Sequence, residues 1–167
     1  MGLTKEKYLF IQRNVEYFNE LIMMELGNQI VKRDLKRYTK TKAKTGKEFW
    51  WQHKCYHFSI DVNGKDGTMN IDLTLPIPYY DNFFDIVTNI NVSNYIKKYR
   101  KCYDNIYRFC KFGGIIIHCL PMKDSKWTKS HSADKKFYEE MAKKYSLTLL
   151  DCEEIKDKDL IMAAFKK

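Results

Sequence analysis

The chain has 167 residues, 44% of them apolar, enough to bury a core without disulfide or metal staples and too hydrophobic for a disordered polyelectrolyte. No apolar run approaches the roughly 20 residues that cross a bilayer, and five cysteines without a Cys-x-x-Cys pair argue against a disulfide framework and a compact zinc site. The formal charge of +9 points to an anionic partner, nucleic acid first, although a Lys-rich composition alone gives the same count.

The first 18 residues mix charge with apolar residues and lack a signal-peptide block, and Glu6 stands where a myristoylation signal carries Ser or Thr. The expectation is a cytoplasmic protein with no membrane association and no metal; the sequence leaves the oligomeric state open. No repeat or linker interrupts it, so a single domain over 1–167 is expected, with an N-terminal helix in 1–18 and a core in 19–167.

Tyr8, Ile11, Val15 and Phe18 recur at helical spacing behind Thr4, a plausible cap. The apolar run Leu21 to Leu26, closed by Gly27, reads as a buried parallel strand and a turn. A basic stretch follows from Ile30 to Lys47, helical in its first half and loop-like and mobile from Thr39 to Gly46. Thr45 to Lys54 reads as a helix carrying Phe49 and Trp50. Tyr56 to Val62 alternates as a second strand whose carboxyl end is Asp61, and the Asn63 to Gly67 segment is dense turn chemistry.

After a Pro-marked loop, Phe83 to Thr88 is a strand and Ser93 to Cys110 a helix capped by Ser93. Gly113 and Gly114 turn into the strand Ile115 to Leu120, which Pro121 stops. A helix over Ala133 to Tyr145 and strands over Leu147 to Cys152 and Leu160 to Phe165 complete the chain. Strands alternating with helices predict an α/β fold, a mostly parallel sheet with helices on both faces. Ligands of such sheets sit outside the carboxyl ends of the strands, where Gly27, Asp61, Asn89 and Pro121 collect.

Glu25-Leu26-Gly27-Asn28-Gln29 resembles the first motif of class I S-adenosylmethionine-dependent methyltransferases, in a form with Asn28 and Gln29 where further small residues are common. Phe84 to Asn89 is similar to the family's fourth strand, and Phe112-Gly113-Gly114 with Ile115 to Ile117 to its fifth. The resemblance spans about Leu21 to Phe165. It implies a Rossmann-like sheet with an antiparallel last strand, S-adenosylmethionine as cofactor, and methyl transfer.

The same resemblance implies site residues. Glu25, Gly27 and Asn28 would hold the methionine moiety and Asp61 the ribose hydroxyls. Asp72 and Leu73 would meet adenine, and Asn89 would line the transfer site. Read as residues alone, Asp61 and Asp72 are equally ordinary turn and loop carboxylates. Only ten residues separate them, so the crossover has lost its helix or the third strand is vestigial. The Pro121 to Ser132 loop resembles a Leu-Pro, Trp, His tract, which implies Pro121 and Trp127 at the acceptor and His131, with Asn89, as catalytic candidates. His118 reads as a core histidine, and Asp85 as structural.

The acceptor, nucleic acid or a small molecule, stays open. Asn89-Ile90-Asn91-Val92 departs from the Asn-Pro-Pro-Tyr or Asp-Pro-Pro-Tyr tetrad of amino-methylating enzymes, and the Asp of cap ribose methyltransferases is absent there. The alternative is a non-catalytic methyltransferase-like module that binds nucleic acid or a protein. An NAD-dependent oxidoreductase is disfavoured because no Gly-x-Gly-x-x-Gly follows the first strand.

Overall fold

A computed structural model describes residues 2–167. The described residues form nine strands: β1 (Gly2–Leu3), β2 (Ile22–Leu26), β3 (Ile30–Val31), β4 (Tyr56–Asp61), β5 (Met69–Asn70), β6 (Phe84–Ile90), β7 (Cys110–Pro121), β8 (Thr148–Ile155) and β9 (Leu160–Lys166). Five α-helices accompany them: α1 (Lys5–Asn14), α2 (Arg33–Thr39), α3 (Gly46–Gln52), α4 (Tyr99–Phe109) and α5 (Lys135–Tyr145). Seven strands form one sheet in the order β5-β4-β2-β6-β7-β9-β8. β4, β5, β2, β6 and β7 pair in parallel, and β9 runs antiparallel to both β7 and β8. The expected Rossmann-like sheet with its antiparallel last strand is what forms.

Alternation along the strands sends side chains to two cores. Met24, Val87, Ile116 and Leu120 face α4 and α5, packing on Cys102, Ile106, Phe109 and Tyr138. Met23, Ile86, Ile90 and Ile117 face α1, α2 and α3, where Phe10, Leu35, Phe49 and Trp50 are buried. Burying side chains such as Phe49 and Trp50 contributes roughly 2 to 3 kcal/mol each. Caps set the helix starts: Thr4 Oγ1 accepts from the Lys7 N–H, Thr45 Oγ1 from the Glu48 N–H, and Asp134 Oδ1 from the Phe137 N–H.

Three expectations need correction. Ser93 caps no long helix: Ser93–Tyr95 is a single 3₁₀ turn, and α4 begins at Tyr99. The Ser93 N–H and hydroxyl are instead both bonded to the Asn89 amide, at 3.1 and 2.7 Å. Gly113 and Gly114 lie inside β7, where a bulge opposite Phe84 and Ile86 absorbs them. The segment expected to be a mobile loop before α3 is docked, with Ala43 buried and the Val31 N–H donating to the Lys44 carbonyl at 2.8 Å.

The third strand is indeed vestigial, two residues long, and is reached from β4 without a helix. Asp85 is structural: it accepts from the Ile22 N–H at 2.8 Å and pairs with Lys111, tying the starts of β2, β6 and β7 together.

Candidate functional site

The order of strands fixes where a ligand can sit. β2 lies mid-sheet; the chain steps out from it to β4 and β5, then returns to its other side as β6. The turns leaving β2 and β6 therefore diverge and leave a crevice beyond their carboxyl ends. A cavity of ≈ 510 Å³ opens there, within the usual range for small-molecule sites.

Gly27 forms one wall in a left-handed conformation, with φ +68°. A Cβ there would lie 3.2 Å from Val92 Cγ2 and 3.6 Å from Asp61 Oδ2, so the space next to the Asp61 carboxylate exists because the residue is glycine. Asp61 is half-buried; its Oδ1 accepts from the Asn63 N–H at 3.2 Å, starting the Asx turn that begins the 62–68 loop. Asp72 and Leu73 line the far side. Hydrogen bonds from Thr74, the backbone N–H first, hold the Asp72 carboxyl below the usual aspartate value, so it is ionised at neutral pH.

Asn28 lines the cavity but commits its amide to the scaffold. Its Oδ1 accepts from the Lys47 N–H at 3.0 Å and its Nδ2 donates to the Asp66 carbonyl at 2.6 Å, which locks the 62–68 loop to the start of α3. Gln29, Asn91 and Val92 complete the wall between β2 and β6. Gln29 Nε2 donates to the Ile90 carbonyl at 3.1 Å, bracing the two diverging turns. Asn91 is buried with φ +55°, and its Oδ1 has no hydrogen-bond partner among the described residues.

Five candidates lie outside the cavity wall. Glu25 is fully buried beneath the Gly27 turn, its Oε2 accepting from the Gln29 N–H at 3.0 Å and lying 3.2 Å from His57 Nε2. It shapes the turn from below. Asn89 points into the α4–α5 core, because β6 continues two residues past its expected end. There it pairs in register with His118 of β7, and its amide reaches His118 Nδ1 at 3.0 Å.

His131 is buried on the same face, its Nε2 3.3 Å from the Tyr103 hydroxyl and its ring 4.0 Å from that of Tyr99. Burial lowers its pKa to about 4, and that of His118 to about 3. Pro121 is buried in β7 opposite Leu160, and Trp127 is an exposed loop residue. Alternation alone separates the two sets. Gly27 and Asn91 follow the last residues of β2 and β6, Asp61 is the last residue of β4, and all three line the crevice, while Glu25 and Asn89 sit within strands and face the cores.

The cavity wall contains Asp61, Lys65, Asp66, Asp72 and Tyr95 as its ionisable groups, and among the described residues no histidine, cysteine or glutamate. Gln29, Asn91 and Val92 went unassigned in the sequence. Gln29 stands in the motif itself, and the Asn-Val pair follows a recognised strand end, so position relative to the strand was the available signal.

No protein of curated function matches the sequence. Among solved structures, the fold resembles the Burkholderia thailandensis 1,6-didemethyltoxoflavin-N1-methyltransferase, crystallised with 1,6-didemethyltoxoflavin and S-adenosylhomocysteine. That match has a TM-score of 0.69 at 7% identity and covers 98% of this chain and 77% of that one. The N-methyltransferase NodS of Bradyrhizobium japonicum, solved with S-adenosylhomocysteine, has a TM-score of 0.65 at 15% identity, covering 98% and 88%. The [4+2]-cyclase SpnF, at 0.64 and 10% identity over 95% and 78%, shares the fold too, so fold alone does not set the reaction. The profile of the methyltransferase domain family matches residues 17–118, which carry β2, β4, β5, β6 and most of β7 together with every turn that walls the cavity. The chain belongs to the methyltransferase domain family.

Proposed function

We propose that the protein is an S-adenosylmethionine-dependent methyltransferase whose cofactor occupies the cavity at the β2/β6 switch point. The observation that carries this reading is the Asp61 carboxylate held over Gly27 at the end of the strand beside β2. A carboxylate in that place accepts hydrogen bonds from both hydroxyls of a ribose. Asp72 and the Leu73 backbone lie one strand further out, where an adenine amino group and ring nitrogen would meet them. Gly27 leaves room for the chain of the methionine moiety.

S-adenosylmethionine supplies a methyl group on a sulfonium, which passes to a nucleophile by in-line displacement. The protein's own contribution is then positioning, since a nucleophile with a free lone pair needs alignment more than deprotonation. The composition of the wall agrees with this, because its ionisable groups include no imidazole or thiol. An acceptor nitrogen that is neutral at neutral pH fits that arrangement. His131 and Asn89 stabilise the α4–α5 face in this account and take no part in transfer.

Calorimetric titration with S-adenosylhomocysteine and, separately, NAD tests the reading. Binding of the first at micromolar Kd with no heat from NAD is the expected result; heat from NAD alone would overturn it.

A further inference from the structure

The positive charge of this protein is concentrated. Residues 32–54 hold nine Lys and Arg against two Asp and Glu, whereas the rest of the chain holds 21 against 19. The two acids in the stretch are exposed but engaged by backbone N–H groups: Asp34 accepts from Lys5 at 2.8 Å and Glu48 from Lys44 at 2.7 Å. Among the described residues, none of the nine basic side chains makes an ion pair, while Arg13, Arg108, Lys111, Lys135, Lys144 and Lys158 elsewhere all do. Arg33, Arg37, Lys40, Lys42, Lys44, Lys47 and Lys54 are exposed. An unneutralised field of this density attracts a polyanion.

The same surface carries an aromatic platform. Trp51 on α3 is 68% exposed, although its neighbour Trp50 is fully buried. Trp51 lines two clefts: one of ≈ 490 Å³ with Lys42, Lys47 and Glu48, and one of ≈ 410 Å³ with Lys54, Tyr56 and Glu20. A flat ring lining clefts edged by unpaired lysines is the arrangement on which bases stack while phosphates meet the charges. An acidic protein would use the charge alone, and a bilayer surface would favour a continuous apolar face, whereas Trp51 shares its clefts with Lys42, Lys47 and Lys54. The strip also reaches the cavity rim: the Lys47 N–H bonds to Asn28, and Lys47 Nζ lies 3.9 Å from the Cβ position of Gly67 in the loop over the cavity.

We propose that the α2–α3 face, residues 32–54, binds single-stranded nucleic acid with a base stacked on Trp51, and presents a neighbouring nucleotide to the cavity as methyl acceptor. The acceptor role rests on the proposed methyl transfer; the binding does not.

The test is fluorescence anisotropy of labelled RNA and DNA strands of about 15 nucleotides, enough to span such a groove. With about four phosphates engaged, affinity should fall roughly 50-fold between about 50 and 200 mM salt. Trp51→Ala should weaken binding about tenfold, the loss of one stacked base. The exposed triple variant Lys40→Glu, Lys42→Glu, Lys44→Glu should abolish binding. A control with the same net charge, Lys123→Glu, Lys136→Glu, Lys143→Glu, should retain most of it, and circular dichroism checks that each variant is folded.

Equal loss in the control triple, or wild-type affinity in Trp51→Ala, overturns the proposal. So does binding to polyglutamate or anionic vesicles as tight as to the strands. S-adenosylhomocysteine binding is measured on the same samples without oligonucleotide. Cofactor heat without strand binding removes only this proposal, and strand binding without cofactor heat removes only the methyl-transfer reading.

Discussion

Asp61 Oδ2 stands 3.6 Å from the point that a Cβ on Gly27 would occupy, so a carboxylate at the end of β4 and a bare backbone turn at the end of β2 enclose one space. Neither residue needs the other for the fold. Asp61 starts an Asx turn with one oxygen, and Gly27 satisfies its turn through its own N–H, which donates to the Ile60 carbonyl at 2.8 Å. The proposed cofactor would use both, its ribose on Asp61 and its methionine chain beside Gly27.

Gly27→Ala should therefore separate stability from binding. The methyl group meets Val92 at 3.2 Å in a φ +68° backbone, which costs about 1 kcal/mol or more of stability. It also intrudes beside Asp61 Oδ2, so affinity for S-adenosylhomocysteine should fall at least tenfold, more than the stability loss accounts for. Thermal denaturation and calorimetry on the same variant compare the two.

Glu25→Ala should act mainly on the fold. It leaves the Gln29 N–H and His57 without their partner in a fully buried place, at a cost of about 3 kcal/mol. A fall in the urea midpoint several times that of Asp61→Ala is expected; equal stability of the two variants would contradict the assignment of Glu25 beneath the turn.

His131→Ala tests the exclusion of the imidazole from the cavity. It removes a buried ring that packs on Tyr99 and Tyr103, so stability should drop by about 2 kcal/mol. Affinity for S-adenosylhomocysteine should stay within about twofold of wild type, since a residue outside the cavity wall acts on binding only through the fold.

The two buried histidines also set an acid response. Their folded pKa values, about 3 for His118 and about 4 for His131, lie below the ordinary 6.5 because burial disfavours the charged ring. An unfolded chain takes up these protons as pH falls through 6.5 and the folded chain does not, so stability is full above that pH. It then declines toward pH 4, by up to about 1.4 kcal/mol per pH unit for each histidine. Urea midpoints measured from pH 7 to 4.5 should show this decline, with a shallower slope in His118→Gln.

The sheet and three positions at its strand ends were legible in the sequence because they obey local rules. A buried run closed by Gly27, an alternating strand closed by Asp61, and Asp85 at a strand entrance each declare their place by periodicity and turn chemistry. Asn89 reads as a rim residue at a strand exit, but β6 continues to Ile90, so Asn89 lies inside the strand and alternation points it into the α4–α5 core. Its polarity is met by His118 on the neighbouring strand, a partner 29 residues away that no local pattern shows. Glu25 was placed in its strand correctly, but its buried partners, the Gln29 N–H and His57 of the neighbouring strand, are tertiary and show in no local pattern. Ser93 read as a cap because its two hydrogen bonds to Asn89 are tertiary.

The central claim, that the β2/β6 crevice holds S-adenosylmethionine through Asp61, is tested most directly by a crystal structure with S-adenosylhomocysteine bound. The account predicts both ribose hydroxyls at hydrogen-bond distance, about 2.6 to 3.0 Å, from the Asp61 carboxylate, with the adenine beside Leu73. A ligand seated elsewhere, or a ribose turned away from Asp61, would contradict it.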